Sequence, residues 1–153
     1  MKIRPYIEND KVAVIELLRS NTPTFFAPAE EKDLIAYLDK EIEDYFVVEE
    51  NSKIIAAAGI NYFPKEKTAY ISWDIIEPES QGKGIGKKLT EHRINYLNKN
   101  FEIDLIIVRT TQLVYKFYEK MGFKLMKVEK NYWAESFDLY YMELKNKNVI
   151  EQQ

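Results

Sequence analysis

The stretch from Pro78 to Leu89, PESQGKGIGKKL, places three glycines within five positions and then continues as a lysine-rich helical pattern. The whole chain has five glycines, so most of them stand at this one point. Glycine adopts positive φ angles readily and lets bare backbone approach a neighbour closely. The stretch therefore predicts a turn of unusual backbone geometry that opens a helix.

Such a turn favours a phosphate ligand. Backbone N–H groups of a glycine-rich turn can approach a ligand closely, and the start of the following helix carries a partial positive charge. The spacing from Gly82 to Gly86 is G-x-G-x-G. A dinucleotide-binding turn has G-x-G-x-x-G, and a P-loop has glycine directly before Lys-Ser/Thr. The sequence thus predicts a pyrophosphate loop that fits neither pattern.

Composition argues against several classes of protein. The chain carries 22 Lys+Arg against 25 Asp+Glu, a net charge of -3, which is the wrong sign for binding nucleic acid through its phosphates. It has no cysteine, which excludes disulfides, thiolate nucleophiles and cysteine-ligated metals, and no cluster of residues indicates a metal site. Neither a signal peptide nor a membrane span is visible. We expect a cytoplasmic protein with no nucleic-acid or membrane partner.

Hydrophobic periodicity predicts a single domain over residues 1–153 with the element order β-α-α-β-β-β-α-β-α-β-β. The strand DLIIVRT is expected to be buried on both faces, and the helix LVYKFYEKM to end at Gly122. The last two strands, FKLMKVEK and FDLYYMELK, are expected to be joined by a long loop that includes NYWAES. Residues from about 146 to 153 form a tail that can fray.

Two motifs resemble a known family. The pattern Gln81-x-x-Gly84-x-Gly86, which follows an apolar strand, resembles the R/Q-x-x-G-x-G/A loop of the GNAT superfamily of acetyl-CoA-dependent N-acetyltransferases. The stretch FYEKMGF, residues 117–123, resembles the aromatic-rich helix end of that family. The resemblance implies an α/β fold with a mixed, mostly antiparallel sheet of about seven strands. About four helices would flank this sheet, which would be splayed between strands 4 and 5.

The resemblance also implies acetyl-CoA as the cosubstrate. The backbone of Ile75 and Ile76 would pair with the pantetheine arm as an added strand does. Many members carry an asparagine six residues before the Phe-Tyr pair and an alanine or serine three before it. This chain has Thr111 and Val114 there, and Thr111 is the expected cofactor contact. The pyrophosphate would be held by N–H groups of Gln81, Gly82, Lys83, Gly84, Ile85 and Gly86, with added charge from Lys87.

Transfer from a thioester to an amine needs a neutral amine, a polarised carbonyl and a proton for the departing thiolate. In GNAT enzymes the tyrosine of the Phe-Tyr pair commonly lies near the sulfur, so Tyr118 is the candidate acid. The alternative is a core role, because Val114, Tyr118 and Met121 share a helical face.

Asp74 is the candidate base. Strand alternation puts it on the same face as Ile76; the alternatives are a structural ion pair or a turn cap. The single histidine, His92, is expected to pack toward the sheet, because it shares a helical stripe with Ile85, Leu89 and Tyr96.

The resemblance implies that acceptor specificity comes from the loop between the first two helices, NTPTFFAP, and from the loop that joins the last two strands, NYWAES. Phe25, Phe26, Tyr132 and Trp133 could line a partly apolar pocket, or could simply belong to the core. The predicted function is transfer of an acetyl group to a small-molecule or peptide amine in a ternary complex. The alternatives are a non-catalytic acyl-CoA-binding or sensor module, and a nucleotide-binding domain that shares only the loop. Exposed edges of the final strands could pair two copies as a homodimer.

Overall fold

The computed structural model describes residues 1–147. The chain forms two compact units, residues 1–59 with 73–89, and residues 60–72 with 90 onward. The strands are β1 (Lys2–Pro5), β2 (Asp44–Glu50), β3 (Lys53–Phe63), β4 (Thr68–Ile76), β5 (Leu105–Thr110), β6 (Lys124–Ala134) and β7 (Phe137–Lys145). The α-helices are α1 (Lys11–Ser20), α2 (Glu30–Ala36), α3 (Ile85–Asn98) and α4 (Tyr115–Lys120).

The strands form one seven-stranded sheet in the order β1-β2-β3-β4-β5-β7-β6. β4 and β5 are parallel, and the pairs β1–β2, β5–β7 and β6–β7 are antiparallel. The sheet is therefore mixed, and the predicted fold class and element order are confirmed. The parallel ladder joins Thr68–Ile71 to Leu105–Val108, so it covers only the first part of β4.

The first unit is built around an apolar cluster beneath α1 and α2. Val14, Leu18 and Leu34 are fully buried, at the helical spacings that place apolar residues on one face. The start of α1 is fixed by Asp10, whose carboxylate accepts two hydrogen bonds from the Arg4 guanidinium at 2.8 and 2.9 Å. A π-helical turn at Tyr37–Glu41 extends α2. α1 ends at Ser20, and Asn21 follows as its C-cap.

β4 is irregular near its end. Trp73 has a φ of 49°, which is uncommon for a residue other than glycine, and its carbonyl accepts a hydrogen bond from the Tyr45 hydroxyl at 2.9 Å. Gly59 on β3 is needed for space, because a Cβ there would lie 2.4 Å from Cδ1 of Tyr45. Strand β4 thus changes direction locally just before the residues expected to bind the cofactor.

In the second unit the final hairpin differs from the expectation. β6 runs to Ala134, and Ala134 pairs with Phe137, so a two-residue turn replaces the long loop. Asn131 and Ser136 adopt positive φ, and the Asn131 side chain accepts a hydrogen bond from the Ser136 N–H at 2.8 Å. NYWA belongs to an irregular end of β6 because these local hydrogen bonds hold the chain there.

Two further expectations are wrong in detail, and one holds with an exception. β5 is buried on both faces over Ile106–Val108, as expected, while Arg109 near its end is exposed. His92 is exposed, whereas the next residue, Arg93, is fully buried and continues the four-residue spacing of Ile85 and Leu89. Asn146 is not frayed, because its amide is buried and donates to the carbonyls of Leu97 and Ile103 at 2.7 and 2.9 Å. The rest of the expected tail, 148–153, lies outside the described residues.

Candidate active site

The segment Gln81–Gly86, called the glycine loop here, follows a 3₁₀ turn at Pro78–Ser80 and leads into α3. Gly82 and Gly84 have φ angles of 79° and 82°, which residues with a Cβ rarely adopt. A Cβ on either glycine would meet nothing within 4 Å, so open space surrounds both. Gly86 lies within the first turn of α3. Gly82 and Gly84 thus determine the backbone conformation of the loop, which leaves room for a ligand beside the start of α3.

The loop is tied to the end of α1 by Asn21, which is buried. Its side-chain amide donates to the carbonyls of Leu17 and Ile76 at 2.8 and 2.9 Å. Its side-chain oxygen accepts from Gln81 Nε2 at 3.0 Å, and Gln81 Nε2 also donates to Ile76 O at 3.1 Å. The side chain of Gln81 therefore has a structural role here, and both lone pairs of the Ile76 carbonyl are used.

The backbone of Asn21 holds the segment that follows α1. Its carbonyl accepts from the N–H groups of Phe25 and Phe26 at 2.9 and 3.3 Å. Phe26 stacks on Trp73, with ring centroids 6.3 Å apart and planes 14° apart, and packs on the core cluster. Phe25 is half-buried. Asn21 was not among the residues predicted from the sequence, although an asparagine just after a helix and before Thr-Pro is a recognisable helix-end signal.

Glu77 braces the base of the loop. Its carboxylate accepts hydrogen bonds from Lys53 Nζ and, at 3.0 Å, from Ser80 Oγ, while its N–H donates to Ile55 O at 2.9 Å. The hydrogen bond from Lys53 holds the pKa of Glu77 below its ordinary value. Beside this brace lies a cleft of about 280 Å³, lined by Glu50, Asn51, Lys53, Ile55, Ser80, Lys83 and Ile85.

The remaining candidates of this unit lie on β4 and at the start of α3. The Ile75 side chain is buried in the core, and the side chains of Asp74 and Ile76 are half-buried. Lys83 and Lys87 are both exposed at the surface. Asp74 precedes Ile76 by two residues, as the base assignment requires. The residue directly before Asp74 is Trp73, whose positive φ makes the strand irregular at this point.

In the second unit, Tyr118 is buried in α4. Its ring makes edge-to-face contacts with Phe117 and Phe123, at centroid distances of 5.0 and 5.9 Å. Thr111 organises the start of that helix. Its hydroxyl accepts from the Leu113 N–H at 3.2 Å, and its carbonyl accepts from the Tyr115 N–H at 3.1 Å. The residue at the family's asparagine position is thus engaged in the local turn.

Arg109, Tyr132 and Trp133 form a group that we call the aromatic corner. The guanidinium carbon of Arg109 lies 5.2 Å from the centroid of the Tyr132 ring and 5.3 Å from that of Trp133. Arg109 Nη2 donates to the Tyr132 hydroxyl at 2.5 Å. The two rings meet edge to face at 5.0 Å. Two of the predicted acceptor residues are therefore brought together with an arginine that no sequence motif had indicated.

Side-chain hydrogen bonds hold the aromatic corner in place. Trp133 Nε1 donates to Thr110 O at 3.2 Å, which fastens the end of β6 to the end of β5. Gln112 donates to Ser136 O at 2.6 Å and accepts from the Asp138 N–H at 3.0 Å. The turn of the hairpin and the loop after β5 are thereby joined.

Two tyrosines lie on the same sheet face as Arg109. Tyr141 on β7 is the cross-strand partner of Arg109, and Tyr70 pairs with Ile107 on β5. Burial, with the hydrogen bond between Tyr141 and Tyr70, raises the pKa of Tyr141 to about 12. Tyr141 is therefore a neutral hydroxyl group near neutral pH.

Residues 1–147 contain neither a metal-binding cluster nor a membrane-spanning helix. No group of three or more His, Asp or Glu side chains is arranged there to hold a metal ion. None of the described helices has the length and apolar character needed to cross a membrane.

Comparison with known proteins defines the class. The chain belongs to the acetyltransferase (GNAT) family, whose sequence pattern matches residues 12–123. The class that the sequence and the fold define is therefore that of the GNAT-family domains. A curated relative, the amino-acid acetyltransferase of Mannheimia succiniciproducens, is 29% identical over 114 residues, which is 74% of this chain and 25% of that protein. The chain thus spans about a quarter of the length of the curated relatives that it matches.

Two solved structures share the fold. The ribosomal-protein-S18-alanine N-acetyltransferase of Escherichia coli superposes with a TM-score of 0.79 at 20% identity, over 95% of this chain and 93% of that one. An aminoglycoside 6′-N-acetyltransferase complexed with coenzyme A superposes with a TM-score of 0.74 at 16% identity, over 95% and 97%. At these identities the likeness concerns the fold alone.

Proposed function

We propose that this protein transfers the acetyl group of acetyl-CoA directly to a primary amine within a ternary complex. The observation that carries the proposal is the glycine loop. Gly82 and Gly84 have positive φ, open space surrounds both, and the loop runs into the start of α3. A pyrophosphate suits this arrangement, because backbone N–H donors and a helix N-terminus both favour an anion.

The same region supplies the other contacts that the cofactor needs. Because the Ile76 carbonyl already accepts from Asn21 and Gln81, we expect the pantetheine arm to pair with the Ile76 N–H and with the neighbouring backbone at Ile75. Lys83 lines the cleft beside the loop and Lys87 follows it, so both add positive charge near the phosphates. Thr111 is a further proposed contact, through its hydroxyl proton.

The chemistry is one acyl transfer. The neutral amine attacks the thioester carbonyl carbon, the C–N bond forms, and the C–S bond breaks to release a thiolate. Tyr118 donates its phenolic proton to the thiolate, and the proton lost by the amine restores the phenol through solvent. A phenol with an ordinary pKa of about 10 is a suitable hydrogen-bond donor to a thiolate whose conjugate acid has a pKa of about 8.5.

Asp74 is the proposed base. An alkylammonium has an ordinary pKa of about 10, so the carboxylate would act through water or by selecting the neutral amine rather than by direct abstraction. Phe25, Phe26, Tyr132 and Trp133 are the proposed acceptor residues. Phe26 also contributes to packing, since it stacks on Trp73.

We also propose three properties of the protein as a whole. Residues 1–153 form one catalytic domain. This proposal is supported by β3 and β4, because each of these strands contributes residues to both compact units. The enzyme works in the cytoplasm. Two copies pair through an outer strand of the sheet. The outer strand β6 carries two exposed apolar residues, Met126 and Val128.

The test is a calorimetric titration with acetyl-CoA, followed in the same sample by a thiol-release assay against a panel of amines. We expect binding and amine-dependent release of CoA. Binding without release by any amine would favour the acyl-CoA sensor instead. Absence of binding by folded protein, or tighter binding of ATP or NAD, would contradict the assignment of the glycine loop.

A further inference from the structure

Arg109 is an exposed cation whose position is set before any ligand arrives. It lies near the end of β5 between Val108 and Thr110, which are both buried. Its guanidinium is held over the faces of Tyr132 and Trp133 and by the Tyr132 hydroxyl. Stacking on aromatic faces suits a guanidinium and restricts its rotamers, so less entropy is lost when a ligand binds.

The contacts that hold Arg109 use only one of its N–H donors. A guanidinium has five N–H donors in one plane, and the hydroxyl of Tyr132 takes one of them. Its direct contacts are a neutral hydroxyl and two neutral rings, so they do not neutralise the charge. This arrangement suits a planar anion bound through two parallel hydrogen bonds, as a carboxylate is.

The position of Arg109 relates it to the reaction. Within the second unit β5 runs parallel to Thr68–Ile71 of β4, and ligands of parallel strands bind beyond the carboxyl end, toward which Arg109 lies on β5. Arg109 is the penultimate residue of β5, and the chain continues through Thr111 to the helix that carries Tyr118. The two rings that hold it are those predicted from the sequence to face the acceptor.

We propose that Arg109, held between Tyr132 and Trp133, binds the carboxylate of the acceptor, and that the acceptor is therefore an α-amino acid. The proposal rests on the proposed function. It agrees with the name of the curated relative, an amino-acid acetyltransferase, whose alignment covers 74% of this chain. An amino acid carries the amine and the carboxylate on one carbon, so a fixed guanidinium would orient the amine for attack.

The test compares pairs of acceptors that differ only in the carboxylate. The twenty amino acids, their α-amides and their decarboxylated amines are assayed for thiol release with wild type, Arg109→Ala and Arg109→Lys. Wild type should acetylate at least one amino acid with kcat/KM about 100-fold above that of its amide. Arg109→Ala should remove that preference through KM, and Arg109→Lys should restore only part of it, because lysine lacks the planar fork.

Arg19→Ala is the matched control. Arg19 is also exposed, but it is paired with Glu16 and Glu31, so its removal should leave the preference unchanged. The KM and calorimetric Kd of acetyl-CoA should change less than about twofold in Arg109→Ala, since an exposed charge that does not contact the cofactor contributes little to its binding. A large loss of acetyl-CoA affinity would overturn the proposal and assign Arg109 to a phosphate of the cofactor.

Failure of this proposal can be told apart from failure of the proposed function. Acetylation of amines with no preference for a carboxylate, or a preference that survives Arg109→Ala, would overturn the carboxylate site and leave the acetyltransferase. If no amine supports thiol release, calorimetric titration of the amino acids into the protein with CoA decides the carboxylate site. Binding that is lost in Arg109→Ala would support it, and absence of binding by every amino acid would overturn it.

Discussion

The phosphate site proposed at the glycine loop consists of backbone, whereas the carboxylate site proposed at the aromatic corner consists of one side chain that others hold. In the loop, positive φ at Gly82 and Gly84 sets the conformation. In the corner, Arg109 and Tyr132 are 23 residues apart in the chain, and ring contacts with hydrogen bonds hold them together. A site made of contiguous backbone can be found by a motif. A site made of distant side chains depends on strand register, which a motif does not contain.

The largest effect should come from disturbing the backbone conformation at Gly84. Gly84→Glu should weaken acetyl-CoA binding at least about 100-fold, because glutamate is strained at a positive φ and its carboxylate would occupy the space proposed for the phosphates. Each lost hydrogen bond to a charged group costs about 1.5–3 kcal/mol. Calorimetry measures the loss, and a melting curve checks the fold.

Lys83→Ala is the control for that experiment. It removes an exposed neighbouring side chain and keeps the backbone, so affinity should fall less than about fivefold. A larger loss in Lys83→Ala than in Gly84→Glu would reverse the comparison, because the loop would then act through its side chains.

The next largest effect should come from Tyr118, which follows Arg109 of the aromatic corner in the sequence. Tyr118→Phe should lower kcat roughly 100-fold and leave the Kd of acetyl-CoA unchanged, because only the transferred proton is lost. Single-turnover kinetics isolate the chemical step. Tyr115→Phe, at the start of the same helix and packed on Tyr140 at 4.6 Å, should leave the chemical rate nearly unchanged. Equal chemical rates in Tyr118→Phe and wild type would exclude Tyr118 as the acid.

A smaller effect should come from Asn21, which joins the loop to α1 by side-chain hydrogen bonds. Asn21→Ala should lower the free energy of unfolding by about 1–3 kcal/mol, because the Ile76 carbonyl and the Gln81 amide lose a partner. Acetyl-CoA affinity should fall roughly tenfold as the loop loses its support. Urea unfolding and calorimetry measure the two quantities.

Ser20→Ala is the matched control for Asn21→Ala. Ser20 is adjacent and its hydroxyl also donates to Leu17 O, at 2.8 Å, but it does not reach the glycine loop in this structure. Its removal should leave acetyl-CoA affinity unchanged. If Asn21→Ala destabilises the protein but keeps full affinity, the loop holds its conformation through glycine backbone alone.

The smallest effect concerns pH. The hydrogen bond from Lys53 lowers the pKa of Glu77 in the folded protein, so the stabilisation is present above the unfolded value of about 4.3 and is lost as pH falls through the folded pKa. Glu77→Gln should be less stable than wild type by up to about 1 kcal/mol at pH 6, since Lys53 is mostly exposed. The difference should shrink as urea unfolding is repeated toward about pH 4 and below. A difference independent of pH would mean that Glu77 acts by packing.

Sequence predicted what local patterns encode. The element order and the loop between β4 and α3 follow from apolar periodicity and glycine spacing. The predicted stripe through His92 was wrong because a charged residue, Arg93, occupies the buried position and hydrophobicity cannot indicate it. Asn21 and Arg109 were missed because their roles depend on tertiary contacts, with Ile76 and with the two rings of β6.

The chain contains two tryptophans, and one lies in each of the compact units. Trp73 stacks on Phe26, while the indole of Trp133 lies beneath a guanidinium. Their emission should therefore differ, because a cation over an indole alters the excited state and a stacked phenylalanine does not. With either tryptophan replaced by phenylalanine, the fluorescence of the other, excited where tyrosine does not absorb, reports on one unit alone. The protein thus carries two built-in optical reporters, one beside the strand residues proposed to bind the cofactor and one beside Arg109.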